Sequence, residues 1–139
     1  MLTSLKVIYE MLESINQKSD NKEDILKKYL NDPIFGSTLR KVLDYITNQD
    51  LKFPLKRINY CLYFDDKIAA EHQNVDSIFE MLDYISIKQS DPSDEERTFL
   101  ERISSSDVET VETVMRILNK MSGCGLTNEQ IMKVLQDGN

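Results

Sequence analysis

Tryptophan is absent from the 139 residues, and glycine, proline, cysteine and histidine are scarce: four, three, two and one. Each scarcity excludes something. So few glycines and prolines speak against a turn-rich sandwich or barrel. Cys61 and Cys124 lie far apart with no Cys-x-x-Cys spacing, so neither a zinc site nor a redox pair is indicated. Reduced thiols in a cytosolic protein are the expectation. His72 sits in a polar stretch without partners for catalysis or metal binding, and reads as a surface residue. No apolar run approaches the roughly 20 residues that cross a bilayer. Met1 to Lys6 lacks the basic segment, apolar stretch and cleavage site of a secretory signal.

What is present suits helices. The length is that of one domain, and a 40% apolar fraction is enough for one core with a large wet surface. Leu5, Ile8, Leu12 and Ile15 recur at helical spacing and predict a first helix over Thr3 to Gln17. A second is expected over Lys22 to Leu30, turning Ile25, Leu26, Tyr29 and Leu30 inward; Asn31-Asp32-Pro33 ends it. A third spans Gly36 to Thr47, with Leu39, Val42, Leu43 and Ile46 buried. Asn74 is the expected cap of a fourth, reaching Lys88 with Ile78, Phe79, Leu82 and Ile85 inward. Asp91-Pro92 predicts the cap and first position of a fifth. Ser106 with Glu109 predicts a capping box for a sixth, through Met121, with Val108, Val111, Val114, Met115 and Leu118 available for burial. Thr127 with Gln130 does the same for a last helix that buries Ile131, Val134 and Leu135. The expected fold is all-α, one compact domain of six or seven helices over residues 1–139.

The exception is a long connection, Asn48 to Asn74, rich in aromatics (Phe53, Tyr60, Tyr63, Phe64). Loops of this length are uncommon inside compact domains and often functional. Alternation of Ile58, Tyr60, Leu62 and Phe64 is equally compatible with an extended segment tucked against the helices.

A net charge of −7 alone argues against nucleic acid, because phosphate binding rests on Lys and Arg. The location of each sign matters more. From Thr38 to Arg57 five basic residues (Arg40, Lys41, Lys52, Lys56, Arg57) stand against Asp44 and Asp50. Apolar neighbours and Pro54 would hold Lys52, Lys56 and Arg57 in place for phosphate contact; an ordinary solvated loop is the plainer account. Between the last two helices lie Gly123 and Gly125, preceded by Arg116 and Lys120 and followed by Thr127 and Asn128. Glycines allow close backbone approach, and the amides of the next helix can take an anion. A glycine-terminated helix followed by a capped one explains the same residues. From Asp91 to Glu112 eight acids accompany two arginines, most simply a solvated face.

Taken in order, these segments resemble the N-terminal domain of ATP-dependent DNA ligases of the T-even bacteriophage type. The similarity runs through Leu5-Lys6-Val7-Ile8 to Ile15, Lys22-Glu23-Asp24-Ile25-Leu26 and Leu39-Arg40-Lys41-Val42-Leu43. It continues in Leu51 to Ile58, which looks like the family's basic, proline-containing segment, although Pro54 here precedes the paired cations. Phe79 to Ile85 and Asp107 to Leu135, the latter with Cys124-Gly125, complete it.

The resemblance implies a non-catalytic domain that grips duplex DNA across the minor groove, through backbone more than bases, and positions a ligase on a nick during replication, repair or recombination. It implies Lys52, Lys56, Arg57, Arg116, Lys120, Gly123, Gly125, Thr127 and Asn128 as the DNA-binding set. The implied partners are double-stranded or nicked DNA and the catalytic domains of the same ligase, with no membrane and a monomeric state. The implied location is the bacterial or phage-infected host cytoplasm. The family's Lys-x-Asp-Gly nucleophile motif is not in this chain: Leu135-Gln136-Asp137-Gly138 carries leucine at the lysine position. No ligation is therefore expected of the chain alone, no cofactor of its own, and ATP and Mg only for a full-length enzyme. One histidine, no metal cluster, no nucleophile elbow and no P-loop also speak against a stand-alone enzyme. The alternative is an acidic helical protein-interaction module without DNA binding.

Overall fold

A computed structural model describes residues 4–61, 75–88 and 90–137. They form seven α-helices and, among the described residues, no strand: α1 Ser4–Asn16, α2 Lys22–Leu30, α3 Gly36–Thr47, α4 Val75–Lys88, α5 Asp94–Ser104, α6 Val108–Leu118 and α7 Asn128–Asp137.

The apolar stripe of α1 explains its central place. Leu5, Ile8, Leu12 and Ile15 have no exposed surface, and α1 packs on α2, α3 and α6. Each such side chain contributes about 1.5–3 kcal/mol by leaving water. Helix α3 is the second pillar, packed on α1, α2, α6 and α7 through Leu39, Val42, Leu43 and Ile46. The α2–α3 joint is tight because the Asp32 carboxylate accepts the Ile34 and Phe35 amides at 3.0 and 2.7 Å. There Gly36 meets the end of α2 so closely that a Cβ would lie 2.4 Å from the Leu30 carbonyl oxygen.

Helices α4 and α5 form a separate pair, and α5 joins it to the bundle through α6. On the α3 side Phe79 meets Tyr45 edge-on at 4.8 Å, and the Tyr45 hydroxyl donates to Asp83 at 2.6 Å. Burial and this bond push the Tyr45 phenol well above its usual range.

Three boundaries differ from the sequence expectation. Helix α5 is capped by Ser93, not Asp91, because Ser93 and Glu96 complete a reciprocal box: Glu96 N donates to Ser93 Oγ at 3.1 Å, and Ser93 N to Glu96 Oε1 at 2.7 Å. Helix α6 is capped by Asp107, not Ser106; its carboxylate accepts the Thr110 amide at 2.6 Å. That one-step shift leaves Val108 about half exposed. Helix α6 also stops at Leu118, short of Met121. The Thr127–Gln130 box forms as expected, with bonds of 2.9 and 3.1 Å. Cys61 and Cys124 are free thiols. Thr3, His72, Tyr63, Phe64 and the Asn74 cap lie outside the described residues.

Candidate nucleic-acid interface

Residues 51–61 form an extended strap. Phe53, Leu55 and Ile58 turn into the core, while Lys52, Lys56 and Arg57 stay exposed. Polar pins hold its backbone. Asn59 N donates to the buried Glu101 carboxylate at 2.6 Å, and Cys61 N to Ser105 Oγ at 2.9 Å. Glu101 therefore belongs to the interior, not to the solvated acidic face expected of its tract. Midway along the strap Asn119 Nδ2 donates to the Lys56 carbonyl at 2.8 Å, and Lys56 Nζ to the Leu118 carbonyl at 3.3 Å. Lys56 thus caps the negative end of α6, whose last carbonyls lack helical partners.

The α6–α7 turn does not end on a glycine. Lys120 takes the left-handed position, φ 59°, with Lys120 N bonded to Ile117 O at 3.1 Å and Met121 N to Arg116 O at 3.0 Å. This is the paired-bond helix ending in which glycine is the usual residue. A side chain there costs about 1–2 kcal/mol. The Lys120 ammonium offsets that cost by donating to the carbonyls of Tyr45 and Asn48, the latter at 2.7 Å, so it closes the C-terminus of α3. It also stands 5.4 Å over the Phe53 ring. Burial, and then the nearby Lys56 charge, pull its pKa below the usual lysine value.

These pins bring Lys52, Lys56, Lys120 and Asn128 around one groove of about 440 Å³, whose apolar wall includes Leu51 and Met132. Asn128 is fixed there by donating from Nδ2 to the Lys120 carbonyl at 3.1 Å. Among the described residues no carboxylate forms an ion pair with the three lysines, although Glu129 lines the same groove.

No family model, curated protein or solved structure matches this chain. What distinguishes its candidate residues from one another is the geometry around them.

That geometry divides the nine sequence-selected residues. Arg116 and Gly123 line a different depression, beside Glu112 and Met121. The Arg116 guanidinium pairs with Glu13, donates to the Ser122 carbonyl at 3.2 Å and lies 4.7 Å over the Tyr9 ring. Gly123, φ 71°, is needed because a Cβ would sit 2.7 Å from the guanidinium carbon. Gly125, φ 88°, faces a third depression, and a Cβ there would meet the Lys22 ammonium at 2.3 Å. Both glycines make room for side chains of this same molecule. In the Gln130 box the Thr127 amide donates to Gln130 Oε1 and the Gln130 amide to Thr127 Oγ1, so two of the backbone donors expected for an anion at the start of α7 are occupied. Arg57 is exposed on the strap and does not line the groove.

Sequence reasoning missed Gln49, Glu129 and Met132 as groove residues. Met132 and Glu129 carried a usable signal: both fall on the polar side of the α7 stripe that Ile131, Val134 and Leu135 bury. Among the described residues no group of His, Cys, Asp and Glu is placed to hold a metal ion, and no helix is long and apolar enough to cross a membrane.

Proposed function

We propose that this domain binds the sugar–phosphate backbone of duplex DNA without sequence preference, as a non-catalytic module that positions an ATP-dependent DNA ligase on nicks. One observation carries the reading: Lys52, Lys56 and Lys120 converge from the strap and the α6–α7 turn on one groove with no ion-paired carboxylate among the described residues. Gathering like charge in this way costs free energy in the absence of an anion. A phosphate returns it. The ordered resemblance of the helices to the phage ligase domain supplies the class of anion. It also supplies the expected partners, duplex DNA and the catalytic domains of the same ligase.

The test uses residues that carry no structural bond described above. Lys52→Ala with Arg57→Ala should weaken binding to a nicked duplex, followed by fluorescence anisotropy across a salt series. Two lost phosphate contacts would flatten the slope of log K against log salt by about 1.8. An unchanged slope removes these side chains from the interface. Lys56 is a poorer probe, because alanine there also uncaps α6.

A second reading rests on α5, where Asp94 and Glu95 flank the half-buried Phe99 in a shallow depression. This is the acidic protein-interaction module, whose partner would be basic. It predicts no retention of duplex DNA even at low ionic strength, and the same titration decides between the two.

A further inference from the structure

We propose that the groove seats one unpaired nucleotide, with its phosphate among Lys52, Lys56 and Lys120 and its base against Leu51 and Met132. The inference rests on the nucleic-acid reading and narrows it from a backbone track to a single concave seat.

Size comes first. A space of about 440 Å³ falls within the roughly 300–1,000 Å³ of sites that enclose small molecules. A backbone passing over a surface needs no such hollow, and a paired base cannot enter one, since its edge is committed to its partner. A base at a chain end or in a single-stranded stretch is free to leave the stack.

Donor accounting comes second. A lysine ammonium has three donors. Lys120 spends two on Tyr45 and Asn48 and keeps one; Lys56 spends one on Leu118 and keeps two. Lys52 is exposed at the same mouth. The bonds that fix Lys56 and Lys120 also immobilise them, so little side-chain entropy remains to be lost when a phosphate arrives.

The wall comes third. Single-stranded nucleic acids are commonly held by cations for the backbone together with aromatic side chains for the bases; here the aliphatic and thioether wall of Leu51 and Met132 stands where the aromatic ring would be. Met132 is 36% exposed, and its thioether is polarisable and adaptable against an aromatic ring. Gln49 brings an amide with both donor and acceptor to the same lining. Glu129 is the opposing group, one carboxylate against three ammoniums. It favours a ligand that reaches the lysines from the strap side.

The seat is tested with the full chain by amide chemical-shift titration against dTMP and against inorganic phosphate. Alongside, anisotropy compares a blunt duplex with one carrying a single-nucleotide overhang. The expected result is shifts centred on the groove, with dTMP binding about 2- to 10-fold tighter than phosphate, the range that a thioether against an aromatic ring supplies. The overhang should be preferred over the blunt end by about tenfold, and Met132→Ser should erase that preference. Equal affinity for phosphate and dTMP, no preference for the overhang, or a preference that survives Met132→Ser overturns the proposal. Groove-centred dTMP shifts with no binding to blunt duplex would sink the duplex reading and leave the seat standing.

Discussion

The groove and the Arg116 corner are made of the same materials, a basic side chain beside a turn with left-handed backbone, yet they end in opposite electrostatic states. In the corner, Glu13 neutralises the guanidinium and Tyr9 covers its face. In the groove, Lys56 and Lys120 bond to backbone carbonyls at helix ends and form no ion pair with a carboxylate among the described residues. A carboxylate cancels a cation; a carbonyl only orients it. That difference separates a structural cation from one still able to attract a phosphate, and it decides which of the nine sequence-selected residues remain candidates.

The sharpest way to break the comparison is at Lys120. Lys120→Ala removes two charge-assisted bonds and keeps the left-handed backbone, so the domain should lose about 2 kcal/mol in denaturant unfolding. Lys120→Gly removes the same bonds but relieves the backbone, and should recover about 1 kcal/mol of that loss. If alanine and glycine destabilise equally, the ammonium is not holding an unfavourable backbone in place. Next in size is Gly123→Ala, which forces a methyl group into the guanidinium and onto a φ of 71°. It should cost about 1–2 kcal/mol and weaken the Arg116–Glu13 pair, visible as a shifted Arg116 side-chain resonance.

The helices were legible in the sequence where a stripe and a cap agreed. Helices α2 and α3 end where Asn31-Asp32-Pro33 and the four apolar residues of α3 place them. The caps of α5 and α6 were misread because two candidate registers stand side by side: Asp91-Pro92 against Ser93–Glu96, and Ser106–Glu109 against Asp107–Thr110. The second is used in each case, with the side-chain cap bonds of Ser93–Glu96 and Asp107–Thr110 formed. The site was less legible. Pairing of Arg116 with Glu13 spans 103 positions, and Lys120 reaches Tyr45 across 75. Backbone carbonyls accept any cation, so such bonds leave no mark on residue type. The glycines misled for a related reason: sequence shows that space is needed beside them but not that Arg116 and Lys22 fill it.

A smaller effect turns the corner into a second groove. Glu13→Gln leaves the guanidinium its position over Tyr9 but removes its countercharge. If the α6–α7 face meets DNA, Arg116 should then supply one more phosphate contact and raise nicked-duplex affinity about fivefold at low salt, with the salt slope steeper by about 0.9. No gain would place the corner away from the DNA and confine the interface to the strap and the start of α7.

The smallest effect concerns the helix that borders the groove. Helices α5 and α7 begin with the same reciprocal box, but its third helical residue is Glu96 in one and Gln130 in the other. Only the first titrates. The Lys88 ammonium, 2.7 Å away, and then the Ser93 amide hold the Glu96 carboxyl down from 4.5 to about 2. A carboxyl lowered on folding stabilises the native state above its unfolded pKa, and that contribution disappears as pH falls through the folded value. Between about pH 4.5 and 2 the Ser93 box should therefore loosen and the first amides of α5 exchange faster, while those of α7 keep their protection. Hydrogen exchange read residue by residue across that window checks it. Parallel loss at both helices would mean that acid is unfolding the bundle as a whole. Selective loss at α5 would establish that the helix beside the lysine groove, unlike α5, is anchored by a cap whose charge does not change with pH.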